Sequence, residues 1–218
     1  FSLDGSLVLS GSTDLTFRCW NAKTGAIEAI SGQPAIAELA AKIHRRLVSL
    51  SPSTRRALAH DGKRATVYDP HTGKRLRDLA DFPSSCQKAV FNNDDRMIAC
   101  PSDDGAAFVW DVETGVRVAA FRGHRGELNA VAFSPNSRIL LTSGTDNTAR
   151  GWAVEGTGRD LTLGVHDAGV TSALWRPNGQ LVATGSGDGT ARVWDGQTGS
   201  PISVLSSPGR VSSMSFSA

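Results

Sequence analysis

LVATGSGDGTARVWD, residues 181–195, reads as a strand, a tight turn and a second strand. Short apolar runs stand on either side of GSGDG. Glycine, aspartate and serine punctuate hairpins because they tolerate the backbone angles of a turn or bond back onto it. AVAFSPNSRILLTSG, residues 130–144, has the same strand–turn–strand form, and DVETG at 111–115 and DGQTG at 195–199 each close one strand and turn into the next. Each unit therefore carries about four short strands. A lone four-stranded sheet leaves both faces wet; packing such sheets face to face around an axis buries them.

The units recur at a fixed step. Trp110, Trp152 and Trp194 are 42 residues apart, Tyr68 lies 42 before Trp110, and Trp20 lies 48 before Tyr68. A second aromatic series, Phe91, Phe133, Trp175 and Phe216, keeps steps of 42, 42 and 41. Two independent series sharing one step mark a repeat architecture. One segment breaks the register: 30 residues separate Trp20 from Leu50, against 23 between the corresponding residues elsewhere. The surplus falls in SGQPAIAELAAKIHRR, 31–46, where Ile36, Leu39, Ala40 and Ile43 have helical spacing. The reading there is a short helix between units, either a partner-binding insert or a neutral surface insertion.

The 218 residues carry 23 basic and 21 acidic side chains, a net charge of +2. No strongly basic face is forced, so no nucleic-acid partner is expected. A modest basic cluster comprises Lys42, His44, Arg45, Arg46, Arg55 and Arg56. No apolar run approaches a membrane span, so no membrane partner is expected either. Cys19, Cys86 and Cys100 are odd in number and show neither CxxC nor Cys/His metal spacing. They read as reduced core residues of a cytoplasmic protein that holds no metal and no cofactor. The opening FSLDGSLVLSGS has no basic n-region and reads as the middle of a repeat, so the chain is expected to be a fragment.

With these spacings the sequence resembles the WD40 family over essentially its whole length. The likeness rests on Gly123–His124, on the Trp–Asp pairs at 110–111 and 194–195, and on Asp14, Asp104, Asp146 and Asp188, each six residues before its tryptophan. His124 and His166 each lie 28 before theirs. The second repeat departs from the pattern, with Tyr68 for Trp, no clear Gly–His and a shifted turn aspartate, Asp61. The third has Phe82 where His is expected and Cys100 where Ser or Thr is expected. Those two blades are expected to be looser or differently packed. The resemblance implies an all-β fold, a β-propeller of four-stranded antiparallel blades forming an incomplete ring. Residues 1–218 read as one partial domain: blade 1 about 1–30, blade 2 about 46–80, blade 3 about 86–122, blade 4 about 128–164, blade 5 about 170–205, and a lone strand about 210–216. A sealed five-bladed ring, with 210–216 pairing beside Ser6–Ser10, is the alternative.

In the family a His, a Ser or Thr, the turn Asp and the Trp indole form one hydrogen-bonded network within a blade. Two complete sets fit: His124, Thr142, Asp146 and Trp152, and His166, Thr184, Asp188 and Trp194; the first repeat keeps Ser10, Asp14 and Trp20. A His–hydroxyl–Asp set also invites a hydrolase reading, but a catalytic set is normally unique and this one recurs. The chain therefore reads as no enzyme.

The function implied is a protein–protein interaction scaffold presenting the top face of the propeller to a protein or peptide. The alternatives are a regulatory or sensor module of a larger protein, or a hydrolase on a propeller frame. The family's contact positions carry over to Glu127, Asn129 and Thr145 in blade 4 and to Ser85, Gln87 and Asp103 in blade 3. They fall on Gly169, Thr171 and Gly187 in blade 5, on His44, Arg46 and His60 in blade 2, and on Arg210 and Ser212 at the end. Arg46 is the strongest anchor by type, because a guanidinium can pair a carboxylate through two parallel bonds.

Overall fold

The computed structural model describes residues 7–11, 17–26, 46–53, 55–60, 64–69, 74–83, 86, 88–156 and 160–216, with the backbone alone for 7–11, 17–19 and 46–48. Every regular element among them is a strand, and every pairing is antiparallel. The first sheet holds β1 (Leu7–Gly11) and β2 (Phe17–Asn21). The second holds β3 (Arg46–Leu50), β4 (Ala57–His60), β5 (Ala65–Tyr68) and β6 (Arg75–Leu79). The third holds β7 (Val90–Phe91), β8 (Met97–Pro101), β9 (Ala107–Asp111) and β10 (Arg117–Phe121). The fourth holds β11 (Leu128–Phe133), β12 (Ile139–Gly144), β13 (Ala149–Ala153) and β14 (Leu161–Thr162). The fifth holds β15 (Val170–Trp175), β16 (Leu181–Ser186), β17 (Thr190–Asp195) and β18 (Pro201–Ser206).

Neighbouring sheets meet through their first strands: β3 packs on β7, β7 on β11, and β11 on β15. This places the first strand of each sheet innermost, the arrangement of propeller blades. Among the described residues β1 pairs only with β2, and 211–216 joins no sheet, so no strand pairing seals 210–216 to 7–11.

The middle strands of the second and third sheets are buried on both faces, β4 and β5 along their whole length, whereas β13 alternates and β17 is mostly half-buried. In β8 every residue after Met97 is buried, and in β9 every residue before Asp111. Trp110, Leu58, Val67 and Ile98 are fully buried between the second and third sheets; Leu141, Leu163, Val170 and Val182 fill the space between the fourth and fifth. Each such side chain contributes about 1.5–3 kcal/mol through burial. The outermost strand of the fifth sheet is exposed along its whole length, Ile202, Val204 and Leu205 included. The turns after the Trp–Asp pairs are closed by the aspartate: Asp111 Oδ1 accepts the Thr114 N–H at 2.7 Å and hydroxyl at 2.8 Å, and Asp195 Oδ1 does the same to Thr198 at 2.7 and 2.9 Å.

One expectation is overturned. Cys86 and Cys100 are joined in a disulfide, with Cα atoms 5.9 Å apart, so the cysteines are not all reduced. The pair is 14 residues apart in sequence and matches no short motif; it meets because Cys100 lies in β8, beside the chain that enters β7. The bond removes the ground for placing the chain in a reducing compartment. Of the helix expected within 31–46, residues up to 45 lie outside the described residues, and Arg46 opens β3. No helix among the described residues is long and apolar enough to cross a membrane.

Candidate functional site

The fourth and fifth blades each bring a complete polar set together. In the fourth, His124 precedes β11, Thr142 lies in β12, Asp146 is in the turn after β12 and Trp152 lies in β13. Trp152 Nε1–H donates to Thr142 Oγ1 at 2.8 Å, Thr142 Oγ1 lies 2.8 Å from His124 Nε2, and His124 Nδ1 lies 2.9 Å from Asp146 Oδ1. A proton on Nδ1 satisfies the whole chain of bonds: indole to hydroxyl, hydroxyl to imidazole, imidazole to carboxylate. In the fifth blade Trp194 Nε1–H donates to Thr184 Oγ1 at 2.9 Å, Thr184 Oγ1 lies 2.8 Å from His166 Nε2, and His166 Nδ1 lies 3.0 Å from Asp188 Oδ2. Thr142 and Thr184 are fully buried, and His124 and His166 are buried as well.

Two further groups complete each set. Thr148 Oγ1–H donates to Asp146 Oδ1 at 2.8 Å and Arg125 N–H to Asp146 Oδ2 at 2.9 Å; Thr190 and the Asp167 N–H do the same for Asp188 at 2.7 and 2.9 Å. The sequence reading passed over these threonines, although a Thr two residues after the turn Asp, in DNT and DGT, was the available signal. Burial pushes the Asp146 carboxyl up, but the bonds from His124, Arg125 and Thr148 outweigh it and hold it down at about 2. Asp188 is likewise held well below the usual carboxylate range, its bonds from Thr190, Asp167 and His166 overcoming burial. Burial lowers both imidazoles against the raising influence of their aspartates, which favours neutral rings. Each ring nitrogen is bonded within its own blade, and the hydroxyl that each Nε2 faces is fully buried and also bonded to an indole N–H.

The remaining repeats differ. In the first, Trp20 is half-buried, the Ser10 side chain is not described, and Asp14 lies outside the described residues. In the third, Trp110 Nε1–H donates to Ala80 O at 2.7 Å, and Phe82 packs on the Trp110 ring at 4.9 Å. Asp104, exposed, bonds Arg122 Nη1 at 3.1 Å.

The sequence-chosen contact positions are sorted by the fold. Asp103, Glu127, Thr145 and Arg210 are exposed. Glu127 and Thr145 lie side by side, the Thr145 N–H donating to Glu127 O at 2.9 Å, and Gly187 N–H reaches Gly169 O at 3.0 Å in the same place one blade on. Asn129 and Thr171 are half-buried; Asn129 ties the fourth blade to the fifth, and Thr171 ties the fifth blade to the segment that follows it. Asn129 Nδ2–H donates to Val170 O at 2.8 Å; the Thr171 hydroxyl lies 3.0 Å from Gly185 O and also meets Val211 O. Lys88 Nζ–H extends this belt, donating to Asn129 O at 3.1 Å. His60, read as a contact position, is buried and packs against Phe82 with ring centroids 5.8 Å apart. His44, Ser85 and Gln87 lie outside the described residues, as does the side chain of Arg46. At the other end of the blades a second belt links successive hairpin turns: Ser53 to Asp95, Asn92 Nδ2–H to Ser137 Oγ at 3.0 Å, and Asn93 Nδ2–H to Pro135 O at 3.1 Å. Among the described residues no group of three or more His, Cys, Asp or Glu could hold a metal ion.

A family model described as "WD domain, G-beta repeat" matches residues 62–111, 115–153 and 160–195, more than half of the chain. The chain belongs to the WD40 repeat family. WD40 repeats generally mediate protein–protein interaction. No curated protein matches the sequence. Among solved structures, the computationally designed Ika8 protein superposes with a TM-score of 0.73 at 24% identity, covering 100% of this chain and 64% of that one. A chain of the mitotic checkpoint complex superposes with a TM-score of 0.71 at 22% identity, covering 90% of this WD40 chain and 59% of its own. At these identities the likeness is one of fold, and the chain spans less than two thirds of either neighbour.

Proposed function

We propose that this WD40 chain is a non-catalytic interaction scaffold, one partial propeller domain that holds a protein or peptide on the rim leading into its inner strands. One observation carries the reading: the two His–hydroxyl–Asp–Trp sets are saturated by bonds within their own blades, while Asp103, Glu127, Thr145 and Arg210 stand exposed. The sets thus serve as ties between a loop and two strands. Buried polar groups that satisfy one another fix a backbone, and loops on a fixed frame carry contacts. Exposed charges of both signs, with no large aromatic among the proposed contacts, suit a hydrogen-bonded interface of moderate size.

The test is affinity capture on the immobilised chain, followed by charge reversal. Asp103→Lys, Glu127→Lys, Arg210→Glu and Arg46→Glu are compared with Lys74→Glu and Arg117→Glu, which lie at or beside outer strands. The reading expects the rim reversals to abolish capture of a partner that the outer-strand reversals retain. Loss through the outer-strand changes, with the rim changes silent, would overturn it.

A further inference from the structure

We propose that the third blade is locked by oxidation: the Cys86–Cys100 disulfide does there what the hydrogen-bonded set does in the fourth and fifth blades, and β7 docks firmly only while that bond is intact. The inference concerns the blade itself and does not depend on the binding role.

The register makes the exchange visible. Cys100 stands ten residues before Trp110, as Thr142 does before Trp152 and Thr184 before Trp194. Phe82 stands 28 before Trp110, where the other two blades have His124 and His166. Both the hydroxyl hub and the imidazole are therefore missing from this blade. In the fourth and fifth blades the imidazole joins the chain four residues ahead of the inner strand to the second strand, His124 to Thr142 and His166 to Thr184. Cys86 stands 24 residues before Trp110, at the position of Leu128 and Val170, which open β11 and β15, and its bond to Cys100 likewise reaches the second strand. Both cysteines are fully buried.

The third blade depends on that link more than its neighbours do. The inner strand β7 makes two ladder pairs, Val90 with Ala99 and Phe91 with Ile98, whereas β11 and β15 each make five. Asp104, the residue that would orient an imidazole, is exposed and bonded to Arg122. Reduction by a dithiol passes two electrons and two protons to Cys86 and Cys100: one thiolate attacks a sulfur, and the second thiol then displaces the mixed disulfide and leaves as the cyclic disulfide. Because both sulfurs are buried, the attack requires the blade to open. The reduced blade then has no imidazole–hydroxyl tie to fall back on.

The experiment uses the whole chain, purified in air, with dithiothreitol as the probe. Alkylation of the unreduced, denatured protein should modify Cys19 alone. Hydrogen exchange followed by mass spectrometry should show peptides spanning β7 and β8 exchanging at least tenfold faster after reduction, with β11–β12 and β15–β16 unchanged. Phe82→His combined with Cys100→Thr restores the imidazole and hydroxyl beside Trp110, and this blade should then exchange as slowly as in the oxidised parent, whereas exchange as fast as in the reduced parent would count against the proposal. Should that variant fail to fold, Cys86→Ala serves, and it should exchange like the reduced chain. Three alkylated cysteines in the air-purified protein, or equal exchange of β7–β8 with and without reductant, would overturn the proposal.

Discussion

Replacing Thr184 by valine removes one oxygen and should unpin the fifth blade. The side chain is fully buried, its oxygen accepts the Trp194 Nε1–H at 2.9 Å, and it faces His166 Nε2 at 2.8 Å. Valine has the same shape but offers neither bond, so an indole donor and an imidazole acceptor are orphaned together. Each orphan costs about 1–3 kcal/mol, and the added methyl recovers roughly 1 kcal/mol, leaving a net loss of about 1–5 kcal/mol. For a chain of this size that lowers the unfolding midpoint by about 2–20 °C. Thr184→Ser keeps the hydroxyl and forfeits one buried methyl, about 1 kcal/mol. The assay is thermal unfolding followed by circular dichroism and tryptophan fluorescence, at neutral pH and fixed protein concentration. A valine variant melting within a degree of the parent, or a serine variant less stable than the valine one, would refute the reasoning.

Further outcomes follow from the same geometry. His124 and His166 are depressed in the folded chain relative to an ordinary 6.5, so the stability they contribute is present above that value and is lost as the pH falls below it. Asp146 adds a second loss, beginning near 3.8 and complete below about 2. A midpoint that stays level from pH 8 to pH 5 would contradict the neutral-ring assignment. Asp188→Ala and His166→Ala should each cost about 1–3 kcal/mol, by orphaning buried partners, while a partner held at a distant blade stays bound in the folded fraction. Gly115 sits at φ +73°, and a Cβ there would lie 2.2 Å from Asp78 O, so Gly115→Ala should loosen the junction of the second and third blades, read as faster exchange at β6 and β10. Asn129→Ala removes the bond to Val170 O and should raise exchange at β11 and β15 without touching β4 or β5.

How far the sequence could be read depended on whether a feature is local or crosses the fold. The 42-residue step placed the tryptophans because each blade repeats one set of strand lengths, and Asp111 and Asp195 of the Trp–Asp pairs were legible because their bonds are to residues three positions on. The polar sets join residues ten to twenty-two positions apart and were legible only because two blades carry the same types at the same offsets. Lys88 and Asn129 bond across blades, and Thr171 to the segment after the fifth blade, in each case to backbone carbonyls, which carry no residue signature, so the register alone marks Asn129 and Thr171 as contacts rather than as ties. His60 misled for a related reason: its register position faces the rim in other blades, but here Phe82 replaces a histidine and covers it. The disulfide was hidden because it occurs in one blade only and repeats nowhere.

The most direct test of the binding claim is a hydrogen-exchange footprint of the chain with its captured partner. The account predicts protection at 103–105, 125–129 and 145–147, the loops beside Asp103, Glu127 and Thr145, with β6, β10, β14 and β18 exchanging as in the free chain. Protection confined to those outer strands, with the three loops unprotected, would contradict it.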